Sequence, residues 1–416
     1  MFDTNYNFTV VDRFLKFVKY DTQSNEEETR FPSTEKQLVL LKDLVKELQE
    51  IGLKDAEIDQ YGYVYATLPS NTTKDVPVIG FMSHADTSPA VSGENVNPII
   101  HKNYQGGDIV LPKDKTKIIK FDENPDLKDM IGYDIITTDG TTLLGADDKA
   151  GIAAIIDAMN YLIKHPEIKH GTIRVCFSPD EEVARGTEHF DVPKFNAKYA
   201  YTVDGGQKGE IETETFCADM VVLKFIGRNV HPGYAKNKMV NSIKVASYFI
   251  DNLPKDKLSP ETTEKREGFV HCVNFQGTEE STTLKIIIRD FIADKLKEYE
   301  DFVEGIAKKT IEAFPGATYE FEVKEQYRNM KYVLDEHPQV EQYAVEAMER
   351  IGITPIKSAI RGGTDGARLS FQGLPTPNLF AGGHNFHSIL EWVAIQDMQE
   401  SVKTIVEIIR VWEEKS

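Results

Sequence analysis

Residues 143–182 read LLGADDKAGIAAIIDAMNYLIKHPEIKHGTIRVCFSPDEE. The apolar run 172–177 reads as a buried strand, and 147–165 before it reads as a helix. Two glutamates, Glu181 and Glu182, stand side by side just past that strand, where adjacent like charges repel and need a reason. Upstream, VPVIGFMSH (76–84) reads as another buried strand, and downstream YAYTVDGG (199–206) as a third. Strands alternating with helices in this way predict an α/β fold with a largely parallel sheet covered on both faces.

Outward from this centre, residues 9–23 carry Val10, Val11, Phe14, Leu15, Phe17 and Val18 at helical spacing. A second helix is expected over 33–52, with Ser33 or Thr34 capping its start and Gly52 ending it. From about residue 214 the texture changes to half-buried strands at 218–227, 269–277, 281–291 and 320–330, interleaved with helices at 241–253 and 294–314. Strand, helix, two strands, helix, strand is the pattern of a small two-layer α/β domain. The α/β texture then returns and ends in a helix over 396–414. One α/β domain with a smaller domain inserted into it is the simplest organisation.

The 416 residues suit two domains, and 40% hydrophobic residues make widespread disorder unexpected. A net charge of −19 with no basic cluster disfavours nucleic acid. Cys176, Cys217 and Cys272 are too few and scattered for a disulfide framework or a cysteine-rich metal site. No stretch approaches the roughly 20 apolar residues that a membrane span needs, and the start lacks a secretory pattern. A reducing, cytoplasmic location is expected.

Chemistry gathers just beyond the strands. His84 and Asp86 follow the first, Glu181 and Glu182 the second, and Asp204 the third; Asp147 and Asp148 open the helix, and His384 and His387 lie near the C-terminus. The crevice outside the carboxyl ends of parallel strands is where functional groups collect. Carboxylates packed so densely need cations between them, and histidines with carboxylates and no thiolate suit Zn²⁺, Co²⁺ or Mn²⁺. Two such metals sharing a carboxylate would generate a nucleophile at neutral pH. From the residues alone, one glutamate of the pair can ligate while its neighbour holds the water.

In this order HAD (84–86), GADDKAG (145–151), SPDEE (178–182), VDGG (203–206) and GGHNFHS (382–388) form a set. As a set they resemble the di-zinc metallopeptidase family that includes carboxypeptidase G and the aminoacylases. The similarity extends through RFLKFVKYDTQS (13–24), IGRNVHPGYAKNKMVNS (226–242) and RGGTDGARLS (361–370) to the final helix. The resemblance implies a zinc-exopeptidase-like catalytic domain, residues 1–213 and 326–416, whose mostly parallel sheet lies between helices. The inserted two-layer α/β domain, 214–325, would be its lid.

Roles carry over residue by residue. The resemblance implies two zinc ions per subunit, with Asp147 bridging, His84 and Asp204 on one, Glu182 and His387 on the other. It leaves Asp148 outside the ligand set and prefers His387 to His384. Asp86 would orient the His84 imidazole, and Glu181 would be the general base. In the lid, His231 would stabilise the tetrahedral oxyanion, while Arg289 and Asn241 of the lid and Arg361 of the catalytic domain would bind substrate, the arginines through its terminal carboxylate. Asp365 is the residue considered for the substrate α-amine.

The activity so implied is release of the N-terminal residue from tripeptides, a closing lid and a carboxylate anchor limiting chain length. A short peptide is the expected partner, without nucleic acid or membrane, and a homodimer is left open. A dipeptidase, a carboxypeptidase and an N-acyl-amino-acid deacylase share the same chemistry. A non-catalytic peptide-binding protein would lack a ligand or the base, and none is missing. A dinucleotide enzyme would need GxGxxG after a strand, and there is none.

Overall fold

The computed structural model describes residues 2–3 and 5–416. At the centre of its largest sheet, strands Ile79–His84 and Ile173–Ser178 pair in parallel. Ile79–His84 also pairs in parallel with Tyr199–Gly205, which pairs in parallel with Asn378–Phe380. Every residue of Ile79–His84 is buried, so the run is apolar without alternation, as a strand covered on both faces must be.

The flanks of this eight-stranded sheet are antiparallel: Val64–Leu68 against Ile173–Ser178, and Glu210–Thr215 against Asn378–Phe380. The expected parallel order therefore holds for the four central strands. Glu210–Thr215 follows Tyr199–Gly205 after the short link 206–209, which leaves no room for a crossover helix and forces the chain to double back.

Helix Ala146–Lys164 is buried along nearly its whole length and packs between the sheet and helix Ile395–Lys415. Its small residues permit that approach: a Cβ on Gly151 would meet the Val203 carbonyl oxygen at 1.8 Å. Asp157 on the same helix accepts the N–H groups of Thr9 and Val10 at 2.9 and 3.0 Å. It thereby caps helix Val10–Phe17 from a distant part of the chain.

The second helix begins at Gln37, later than the sequence suggested, and ends at Ile51 before Gly52, whose φ is 121°. Neither Ser33 nor Thr34 caps it. Ser33 is drawn to the buried Asp180, which accepts its N–H and Oγ–H, both at 2.5 Å, and Thr34 donates to the Gln23 carbonyl. A buried carboxylate without a counter-charge outcompetes helix N–H groups that water can reach.

Two compact units are present. One runs to Thr213 and resumes over Tyr332–Ser358 and Thr364–Ser416; the other comprises Glu214–Lys331 and Ala359–Gly363. The second contains an antiparallel sheet in the order Phe269–Gly277, Ser281–Asp290, Cys217–Ile226, Thr318–Tyr327. Buried and half-buried residues alternate along Cys217–Ile226, and Val221, Leu223 and Phe225 face a core shared with Val245, Phe249 and Val303 of helices Ser242–Asp251 and Ala293–Ala313. Among the described residues no helix is long and apolar enough to cross a membrane.

Candidate metal centre

The carboxyl ends of the central strands deliver the expected groups to one place. His84 ends its strand, Asp204 stands one residue from the end of its own, and Glu181 and Glu182 follow Ile173–Ser178. Asp147 arrives from the start of helix Ala146–Lys164, where Gly145 has φ of 81° and Asp147 and Asp148 leave helical geometry. That irregular first turn lets two successive aspartates point apart. The Asp147–Asp148 peptide is cis.

Two ligand groups result, sharing Asp147: His84, Asp147 and Asp204, and Asp147, Glu182 and His387. His84 Nε2 lies 2.8 Å from Asp147 Oδ1 and 3.3 Å from Asp204 Oδ1. His387 Nε2 lies 3.0 Å from Asp147 Oδ2 and 2.9 Å from Glu182 Oε2. Each Asp147 oxygen thus serves a different group. His84 is buried and His387 exposed, so the second group is the one open to solvent.

The electrostatics call for cations. Burial, reinforced by the charge of Asp147, pushes Glu182 up to about 8 and Asp204 up to about 6. Burial drives Glu181 and Asp148 well above the usual carboxylate range, with Asp204 among the charges adding to it. Hydrogen bonds to Asp147 and Glu182 raise His387 to about 11. Against burial, which opposes it, the Asp147 carboxylate stays below its ordinary value through hydrogen bonds from His387 and His84. Glu182 Oε1 is buried and, among the described residues, has no hydrogen-bond partner. An orphaned carboxylate oxygen, a carboxylate shared by both groups and two imidazoles without thiolates fit a pair of divalent metals such as Zn²⁺, Co²⁺ or Mn²⁺.

Around these groups, buried polar side chains hold the ligand-bearing backbone. Asp86 Oδ1 lies 3.4 Å from His84 Nδ1. The Asp86 carboxylate also accepts the N–H groups of Glu181 and Glu182. Asn378 accepts the Asp204 N–H at 3.1 Å and donates to Glu212 at 2.7 Å. Glu391 accepts the N–H groups of Leu144, Gly145 and Asp147. Asp365 lines a narrow pocket with His84, Glu181 and Asp204, and burial pushes it up to about 7. Lys149 is fully buried, donates to the Tyr20 carbonyl, and is drawn down to about 8 by that burial.

Of these, Glu391, Asn378, Glu212 and Lys149 were not singled out from the sequence. One signal was present for Glu391, a lone carboxylate between Leu390 and Trp392 in an apolar run. His384, set aside in favour of His387, is buried, stacks on Trp392 with ring centroids 3.8 Å apart, and pairs with Asp126 at 3.2 Å.

The remaining expected residues lie in the inserted unit. His231 is exposed, and its Nδ1 accepts the Gly233 N–H at 3.1 Å. Asn241 caps helix Ser242–Asp251, accepting the Ile243 N–H at 2.9 Å. Arg289 donates to the carbonyls of Asp219 and Ile288 and lies over the Tyr327 ring. Arg361 donates to the carbonyls of Lys265 and Glu267 and lies against Phe216 and Phe269.

The model of Peptidase family M20/M25/M40 matches residues 138–411. Peptidase T of Clostridium acetobutylicum is 54% identical over 406 residues, covering 98% of this chain and 99% of that protein. Peptidase T of Listeria monocytogenes is 51% identical with the same coverage. Among solved structures, aminopeptidase PepT from Bacillus cereus superposes with a TM-score of 0.73 at 26% identity, covering 97% of this chain and 98% of its own. A dinuclear metal binding peptidase of the M20 family from Bacillus subtilis shares the fold at 14% identity and a TM-score of 0.64, covering 98% of both chains. With a family match that takes in the shared Asp147 and the later ligands, and with relatives more than half identical along nearly the whole chain, the protein belongs to peptidase family M20/M25/M40.

Proposed function

We propose that the protein is a tripeptide aminopeptidase, releasing the N-terminal residue of a short peptide by hydrolysis. The observation that carries this reading is the Asp147 carboxylate shared between two histidine-and-carboxylate groups, with the adjacent Glu181 belonging to neither. Preference for tripeptides is supported by the identity to relatives named Peptidase T. His84 and Asp204 would hold one metal, Glu182 and His387 the other, and Asp147 both. Bound there, the metal pair supplies a water nucleophile at neutral pH. Zinc is the proposed metal, and elemental analysis of the purified protein tests it.

Glu181 accepts the proton of the attacking water and passes it to the leaving amine. Burial and the neighbouring carboxylates raise its affinity for a proton, and the positive charge of metals held beside it would keep it ionised until the water gives its proton up. Asp86 fixes the imidazole of His84 and the backbone of the glutamate pair. His231 is proposed to stabilise the oxyanion, and Arg289, Arg361 and Asn241 to bind substrate. Replacing either arginine by Met should raise KM for a free tripeptide and leave KM for its C-terminal amide little changed.

The deciding experiment compares hydrolysis of free tripeptides, dipeptides, N-blocked tripeptides and acylated amino acids by one metal-loaded preparation. Tripeptide preference with loss on N-blocking supports the proposal, and preference for any other class overturns it. A cytoplasmic location and a homodimer are further proposals, tested by cell fractionation and by sedimentation equilibrium.

A further inference from the structure

We infer that Glu391 is a positioning residue for Asp147, fixing the shared carboxylate through the backbone that carries it; the inference rests on the two-metal reading above. Glu391 is 1% exposed. Its Oε2 accepts the N–H groups of Leu144 and Gly145 at 2.7 and 2.8 Å, and its Oε1 accepts the Asp147 N–H at 3.1 Å. Leu144 and Gly145 lead into helix Ala146–Lys164 and Asp147 stands where its first turn leaves regular geometry; Gly145 at the cap position has no side chain to accept from that turn. Three charge-assisted hydrogen bonds offset the cost of burying a carboxylate there.

The placement of Glu391 in the chain adds a second argument. It follows His387 by four residues, and strand Trp392–Ala394 anchors the segment by pairing with Ile135–Thr137 and with Gly383–His384. One segment therefore grips Asp147 at both ends, through His387 at Oδ2 and through Glu391 at the backbone N–H. Asn378 offers a natural comparison, because it holds the N–H of Asp204, a member of one ligand group only. Loosening Glu391 should disturb both metals, whereas loosening Asn378 should disturb one.

The test is calorimetric titration of chelator-stripped protein with Zn²⁺, which reads metal uptake without substrate. Glu391→Gln keeps the shape but turns an amide NH₂ towards backbone donors. It should take up both equivalents about 10- to 100-fold more weakly than wild type, the range for loss of a partner that orients a ligand. Asn378→Ser should weaken one equivalent. A folded Glu391→Gln protein, checked by circular dichroism, that binds two equivalents with wild-type affinity overturns the inference, and so does weakening of a single equivalent. Should Glu391→Gln not fold, Glu391→Asp is read by the same criteria; if neither folds, Glu391 is a folding element and the inference falls. Wild-type protein that binds only one equivalent removes the two-metal reading, and this inference with it.

Discussion

Asp86 accepts the backbone N–H of Glu181 on Oδ1 at 3.0 Å. Its other oxygen accepts the N–H of Glu182 at 3.2 Å, and its carbonyl oxygen lies 3.1 Å from His84 Nδ1. One buried residue thus joins the HAD segment to the glutamate pair, holding His84 and Glu182, one from each candidate ligand group, together with Glu181. Asp86→Ala should leave the half-buried N–H groups of Glu181 and Glu182 without this partner, at a cost of about 1 kcal/mol each. Chemical denaturation of the chelator-stripped protein reads that loss without the metal, and an unchanged midpoint would contradict the role.

The shared position of Asp147 makes metal content a graded readout. His84→Ala and His387→Ala should each retain one of two metals, and Asp147→Ala neither. Elemental analysis after gel filtration checks the series. Two metals retained by Asp147→Ala would show that the carboxylate does not bridge.

Glu181→Gln should keep both metals and lose about 10²- to 10⁴-fold in kcat, the usual contribution of a positioned general base. Steady-state rates with metal content measured on the same sample decide it. Near-normal turnover would move the proton-transfer role elsewhere.

Stability of the stripped protein should fall as pH rises from about 5 to about 8. Glu182, raised by burial from 4.5 to about 8, and Asp204, raised by burial from 3.8 to about 6, hold protons more tightly when folded. Between the unfolded and folded values the folded state binds more protons, so raising the pH disfavours it. His387, raised from 6.5 to about 11, acts in the same direction: its contribution is full below about 6.5 and is lost as pH climbs towards 11. Asp147 works in the opposite sense but only in acid, below its ordinary value. Bound Zn²⁺ should therefore widen the Tm difference between loaded and stripped protein over this range; a pH-independent difference would count against the clustered carboxylates.

Gly151→Ala places a Cβ 1.8 Å from the Val203 carbonyl oxygen and 2.4 Å from Asp148 Oδ1. The helix must back away from the strand that carries Asp204. Overpacking of this kind costs about 1–3 kcal/mol, read as a lower midpoint in urea, with weaker metal binding beside it.

Much of this was legible in the sequence, for identifiable reasons. Ile79–His84 and Ile173–Ser178 announce themselves because a strand covered on both faces has no polar side to interrupt it. Cys217–Ile226 shows the alternation of a strand with one covered face. His84, Asp86, Asp147, Asp148, Glu181, Glu182 and Asp204 stood out as candidates, since side chains that leave strand ends and helix starts share one edge of a parallel sheet, and the choice within each adjacent pair, like that of His387 over His384, rested on the family resemblance.

What the chain order could not carry is the fit between distant parts. Ser33 has the chemistry of a helix cap, yet Asp180, far along the chain, claims it. Glu391 looks like any acidic residue until folding removes it from water and leaves three backbone donors as its partners. By itself, the sequence determined the elements, their order and the chemical types gathered at the site. Tertiary structure alone decided which Asp147 oxygen serves which ligand group and which buried carboxylates grip the backbone, because burial and hydrogen-bond competition exist only once the chain has closed on itself.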